Sequence, residues 1–251
     1  TDAMVTAGYN QLELAFGNAG LRFLLDDMSI KVSDTVSYDD KTVRDAIIEG
    51  NKNQNSSNDG SYWNEDDMTS ILSYAKEKNV DIVPLLNMPG HMNAILDGEK
   101  FHQYRMSGYD KNYNLQTSKT SINLSNAEAV AFGKAFLQKY VDWFKGKVTY
   151  FNFGADEVAN DIVNPFYSYN KNGYSDCVAY IKACAEIIAN ARMTPRAFND
   201  YIYFDNDSST INSEIEVCYW NNQWSGSPYV SAKTIADKGH KMINTNSEWY
   251  Y

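Results

Sequence analysis

The sequence predicts an α/β fold of the (β/α)8 TIM-barrel type, and three observations carry that expectation. Strand-like runs alternate with amphipathic helical runs along the 251 residues, the pattern of a parallel sheet covered by helices. No glycine-rich phosphate loop follows any strand, which weakens a nucleotide-binding open sheet. Polar or acidic residues stand at the strand C-terminal ends, at Asn87, Asp156, Glu157, Asn199, Asp200, Asn221 and Asn246. A barrel gathers residues from many strand tips, whereas an open sheet offers one crevice at its switch point.

The strands are read over Gln11–Phe16, Val80–Leu86, Thr149–Gly154, Arg196–Asp200, Glu216–Trp220 and Lys241–Thr245. The helices are read over Asn64–Lys78, Asn126–Lys145, Ser175–Ala191 and Pro228–Lys238. Ser125 with Glu128 three residues on has the form of a capping box, and Lys238-Gly239 closes the last helix with a helix-ending glycine. Six strands are visible where the barrel needs eight, so one strand before Thr1 and one after Tyr251 are expected to complete it. The chain reads as one barrel domain over 1–251, incomplete at both ends, with no internal repeat or low-complexity linker. Two long insertions, Gly17–Asn64 and Asp97–Ser121, interrupt the alternation. The second carries Tyr104, Tyr109 and Tyr113, and both are expected over the active face.

Composition narrows the function. A net charge of −10 without a Lys/Arg cluster argues against nucleic acid. The 19 Tyr, 11 Phe and 5 Trp supply flat faces with polar tips, which suit sugars as well as a core. Cys177, Cys184 and Cys218 show no metal spacing and read as small buried hydrophobes; His91, His102 and His240 show none either. No metal and no cofactor is expected. No stretch is apolar enough to span a membrane, no signal peptide is present, and the start at Thr1 looks like a cut into an existing domain.

Chemistry concentrates in Tyr150-Phe-Asn-Phe-Gly-Ala-Asp-Glu-Val-Ala-Asn160. An aromatic, strand-like run stops at Gly154 and two acids follow at once. Consecutive strand side chains point to opposite faces, so Asp156 and Glu157 share one site only if the strand ends and the chain turns there. Such a pair suits a reaction needing a proton donor and a fixed negative charge; a helix N-terminus favoured by the dipole is the alternative. A second motif, Ile82-Val-Pro-Leu-Leu-Asn-Met-Pro-Gly-His91, ends a strand at a Pro-Gly turn and delivers His91 to the same rim.

These motifs, LLDDMS (Leu24–Ser29), NMPGH (Asn87–His91), FNFGADEVAND (Phe151–Asp161) and NTNSEWYY (Asn244–Tyr251), resemble glycoside hydrolase family 20, the β-N-acetylhexosaminidases. Their order and spacing match across essentially the whole chain. The likeness is closest to the branch of streptococcal surface β-N-acetylglucosaminidases and bifidobacterial lacto-N-biosidases.

The resemblance implies retaining hydrolysis of terminal β-linked N-acetylhexosamine, in which the substrate's 2-acetamido oxygen is the nucleophile and an oxazolinium ion forms. It places Glu157 as general acid/base and Asp156 as the charge that orients the acetamido group. The acid then needs a raised pKa and its neighbour a low one. Tyr250 matches the tyrosine that bonds the acetamido oxygen, and Trp220 one aromatic pocket wall. Asn199, Asp200 and Trp224 are candidate substrate contacts, with Tyr203 as another wall. His91 with Asp26 or Asp27 matches a relay behind the acid. The glycan partner would be terminal β-GlcNAc or lacto-N-biose units, and the location extracellular or on a bacterial surface. Some positions depart from the family pattern: Ala155 stands for a second glycine, Asn87 for an aspartate, and Phe198-Asn199-Asp200 where many members carry a tryptophan. The arginine of the family's first strand and the tryptophan of its last fall outside 1–251. A lacto-N-biosidase releasing a disaccharide is the close alternative, and a non-catalytic carbohydrate-binding barrel the distant one.

Overall fold

The structure, a computed structural model, describes residues 2–54, 59–109, 112, 114–162, 171–203, 211–221 and 230–246. The first half holds α1 (Asp2–Thr6), β1 (Gln11–Asn18), β2 (Gly20–Leu21), β3 (Ile30–Lys31), β4 (Ser37–Tyr38), α2 (Asp40–Asn53), α3 (Glu65–Glu77), β5 (Asp81–Met88) and α4 (Asn93–Leu96). A 3-10 turn (Glu99–Tyr104), β6 (Arg105–Tyr109), β7 (Leu115–Ile122) and α5 (Ala127–Phe144) follow. The chain continues through β8 (Tyr150–Gly154), α6 (Lys171–Asn190), β9 (Thr194–Phe198), β10 (Glu216–Tyr219), α7 (Ala232–Asp237) and β11 (Met242–Asn244).

One sheet runs in the order β11-β10-β9-β8-β5-β1-β2. Six of its strands run parallel through five neighbour pairings, and only β2 hooks back antiparallel on the end of β1. The inner faces of these strands show that the sheet is curled into barrel form. Asn152 Nδ2 on β8 donates to Glu13 Oε2 on β1 at 2.8 Å, and Arg196 on β9 reaches Gln11 Oε1 on β1 at 3.2 Å. In a flat sheet, two and three strand spacings would hold these pairs about 10 and 14 Å apart. Arg196 Nε also donates to Glu216 Oε2 at 2.9 Å. A polar interior layer from four strands is the result, and the TIM-barrel class predicted from the alternation is the fold observed.

The outward residues of the same strands meet the helices. Phe16, Phe151 and Phe153 are fully buried, and Phe16 and Phe151 pack on Phe144 of α5. Around α5 the rings of Phe23, Phe101, Tyr104, Phe132, Phe136 and Tyr140 form one continuous aromatic layer. The Tyr140 hydroxyl, buried there, donates to Phe23 O at 2.7 Å. Much of the aromatic excess is therefore core. The three cysteines are buried and unbridged. No helix among the described residues is long and apolar enough to cross a membrane.

Several local readings are corrected. α5 is capped by Asn126, whose side chain accepts from Glu128 N and Ala129 N, because Ser125 Oγ instead donates to Asp176. The reciprocal capping box sits at Asn64 and Asp67 of α3. β9 ends at Phe198, two residues earlier than expected, so Asn199 and Asp200 belong to the loop beyond it. The first insertion contains α2, which buries Val43, Ile47, Gly50 and Asn51; the second contains the β6–β7 hairpin. Tyr104 does not lie over the active face: its hydroxyl is bonded to Tyr38 and Glu128 within the core. Tyr109 is exposed on the hairpin, and Tyr113 lies outside the described residues.

Candidate active site

The turn after β8 brings the acids together. Gly154, Ala155, Glu157 and Ala159 all have left-handed backbone, with φ of 76°, 67°, 48° and 55°. Alternation stops at this sharp turn, and Asp156 and Glu157 come to one side. Gly154 is required twice over: its φ suits glycine, and a Cβ there would run into the side chain and backbone of Asn87. From beneath, Ser121 Oγ accepts from Ala159 N at 2.7 Å. Asp161 accepts from Ser118 Oγ and Lys119 N, both at 2.6 Å. β7 thus pins the far end of the acid loop.

The strand-end turn at Pro89-Gly90 supplies the opposing wall. A Cβ on Gly90 would lie 2.9 Å from Asp156 O, so the glycine permits close approach. His91, itself left-handed at φ 52°, places Nε2 3.3 Å from Glu157 Oε2 and 3.7 Å from Asp156 Oδ2. One imidazole thus faces two carboxylates. Asn87 Nδ2 donates to Asp156 Oδ1 at 2.7 Å and to Asn18 Oδ1 at 3.0 Å. A carboxylate in place of this amide would repel Asp156, whereas the amide donates to it.

The charge balance reverses the sequence expectation for the free protein. The His91 imidazole, 3.3 Å from Oε2, holds the half-buried Glu157 carboxyl below its ordinary pKa. Burial pushes Asp156 up, against the pull of His91 and Asn87. The difference follows solvent access, since Asp156 is 13% exposed and Glu157 38%. Burial opposes the charging of His91, but Glu157 and Asp156 outweigh it and its pKa is raised. The ligand atoms of His91, Asp156 and Glu157 lie within 4.8 Å of one another and could hold a metal ion. Their mutual charges already account for that spacing.

The other predicted residues divide. Asp200 and Asn199 are fully buried beside the site, and their bonds run to protein backbone rather than into open space. Asp200 accepts from Glu157 N at 3.1 Å. Asn199 bonds the backbone of Trp220 and Asn221. Trp220 follows β10, its indole N–H turned to the Asp200 carboxyl. Asp26 and Asp27 are not brought to His91. Asp27 caps Ser29 and meets Lys139 of α5, while the backbone of Asp26 is bonded by Glu65 and Arg44. Tyr203 is buried, its hydroxyl on Ile211 O and His240. Tyr250 and Trp224 lie outside the described residues. Sequence reasoning missed Ser121, Asp161, Gly90 and Asn18 as supports of the acid loop, since each acts through a contact distant in sequence.

Residues 2–251 match the pattern of the glycosyl hydrolase family 20 catalytic domain. Over 143 residues, 57% of this chain, the sequence is 32% identical to a lacto-N-biosidase of Bifidobacterium bifidum. Two solved structures of the pneumococcal virulence factor StrH, an exo-β-D-N-acetylglucosaminidase with tandem catalytic modules of this family, superpose with TM-scores of 0.90 and 0.89. Both are 34% identical and cover 99% of this chain. The chain spans 11% of the length of the biosidase and 60% of each StrH chain.

Proposed function

The chain belongs to glycosyl hydrolase family 20, and from that premise we propose that it removes terminal β-linked N-acetylhexosamine from glycans by substrate-assisted, retaining hydrolysis. One observation supports this best: a buried carboxylate and a half-exposed one meet on a single rim with one imidazole between them. In this reading Asp156, oriented by Asn87, holds the acetamido N–H and balances the positive charge of the oxazolinium ion. Glu157 protonates the leaving oxygen and later takes a proton from water. A bound sugar would cover the exposed part of Glu157, and the loss of solvent would raise its pKa toward that of an acid working near neutrality. Trp220 would wall the acetamido pocket and Tyr250 would bond its oxygen. Location outside the cell follows from the family resemblance.

The biosidase match supports a second reading in which a disaccharide leaves. Nitrophenyl β-GlcNAc and nitrophenyl lacto-N-bioside separate the two, since only a site with room for galactose releases nitrophenol directly from the latter. The mechanism is tested by neutralising each acid. Glu157→Gln should slow a natural oligosaccharide far more than a nitrophenyl glycoside, whose leaving group needs little protonation. Asp156→Asn should slow both together, by about a hundredfold or more. Equal slowing of both substrates by Glu157→Gln would remove it as the acid. Near-normal turnover in Asp156→Asn would exclude the substrate-assisted route.

A further inference from the structure

β9 ends at Phe198, and the next two side chains reach to opposite neighbours. Asn199 grips the end of β10 with three bonds: its Oδ1 accepts from Trp220 N at 2.9 Å and Asn221 N at 3.1 Å, and its Nδ2 donates to Asn221 O at 2.8 Å. Asp200 Oδ2 accepts from the backbone N–H of Glu157 at 3.1 Å, and the same carboxyl faces the Trp220 indole N–H. Both side chains are at 0% exposure, so neither has surface left for a sugar. The N–H of Glu157 needs such a partner because the chain has left β8 and turned left-handed at Glu157, where no ladder can accept it.

We propose that Asn199 and Asp200 form a bracket fixing the general acid relative to the Trp220 wall, with Asp200 the positioning residue for Glu157. The proposal rests on the glycosidase reading for the meaning of Glu157 and Trp220, not for the bracket itself. Strand tips deliver the acid and the wall separately, from β8 and β10, and β9 lies between them in the sheet. A dipeptide at the tip of the middle strand is the shortest link that can hold both. The acid's proton must arrive at the glycosidic oxygen of a sugar seated against the wall. An error in the spacing of acid and wall therefore acts on proton delivery rather than on sugar binding.

The test combines amide exchange with two substitutions. In the unaltered protein the Glu157 amide should exchange slowly despite lying in a loop; exchange at the rate of an open loop overturns the bracket. Asp200→Ala removes the acceptor and should reduce turnover of a natural oligosaccharide about tenfold to a hundredfold, with a smaller loss on the nitrophenyl glycoside and little change in KM. Asp200→Asn keeps an acceptor oxygen and should retain turnover within about threefold of the unaltered protein, with the Glu157 amide still protected. Equal losses on both substrates in Asp200→Ala would mean a general loss of folded protein and would overturn the positioning role. So would an Asp200→Asn variant, folded, whose oligosaccharide turnover falls about tenfold or more. Should Asp200→Ala fail to fold, the exchange measurement and Asp200→Asn still decide. If the unaltered protein hydrolyses no N-acetylhexosaminide, the glycosidase reading fails, while amide exchange at Glu157 still reads the bracket.

Discussion

At the scale of single residues, the site is governed by one cation shared between two anions. His91 lowers the pKa of both Glu157 and Asp156, and the proposed reaction needs Asp156 ionised and Glu157 protonated. With a sugar covering Glu157 and raising its pKa, the ascending limb of kcat against pH would follow Asp156 losing its proton, and the descending limb Glu157 losing its own. Replacing His91 by Asn lets both pKa values rise, so both limbs should move to higher pH. Asn87→Ala removes a donor from Asp156 alone, so only the ascending limb should move, again upward. pH–rate profiles of the two variants check this; an unmoved or downward-moved descending limb in His91→Asn would contradict the pairing. The Asp-Glu pair was legible in sequence because a glycine visibly stopped an aromatic run. The direction of the two pKa shifts was not, because it depends on which carboxyl the fold buries.

At the scale of elements, two glycines set how closely the strand-end turns nest. Gly154→Ala forces a left-handed alanine, costing about 1–2 kcal/mol, and drives its methyl into Asn87, where overpacking costs about 1–3 kcal/mol more. Urea unfolding should show a loss of at least about 2 kcal/mol at unchanged slope; an unchanged midpoint would mean the turn relaxes freely. Gly90→Ala differs, since its backbone is not left-handed and only the contact to Asp156 O is tight. Its stability should fall less than that of Gly154→Ala, by about 1–3 kcal/mol from the overpacking alone, while turnover falls about tenfold to a hundredfold as the acid loop is displaced. Elements with a long apolar period, such as α5, could be read from sequence within two residues. α2 escaped notice because Asp40–Asn53 is mostly polar and buries only a narrow stripe. The ends of β9 were misplaced because Asn199 and Asp200 look like strand-tip ligands, and only their partners across the sheet show them to be braces.

At the scale of the molecule, the interior of the barrel accumulates carboxyls. Burial raises the pKa of Glu13, Asp156 and Asp200 together. An acid whose folded pKa lies above its unfolded value stabilises the fold fully below the unfolded pKa, and that contribution is lost as pH rises through the folded one. Asp156→Asn should therefore raise Tm at neutral pH, at roughly 2–4 °C for each kcal/mol, and the gain should vanish below about pH 4, where the unfolded carboxyl is already protonated. Calorimetry at the two pH values checks this, and a gain that persists in acid would point to packing instead. The barrel class itself was legible because alternation of strand and helix is a whole-chain property; the polar layer inside it was not, because Gln11 and Arg196 meet across 185 positions. That separation has a consequence in time. At a synthesis rate of about 5–20 residues per second, the partner of Gln11 leaves the ribosome roughly ten to forty seconds after Gln11 does. For that interval the inward glutamine of β1 goes unanswered, and Glu13 waits until Asn152 of β8 has been made, so a nascent chain should show the inner face of this strand open to proteases or chaperones until β8 and β9 have been made.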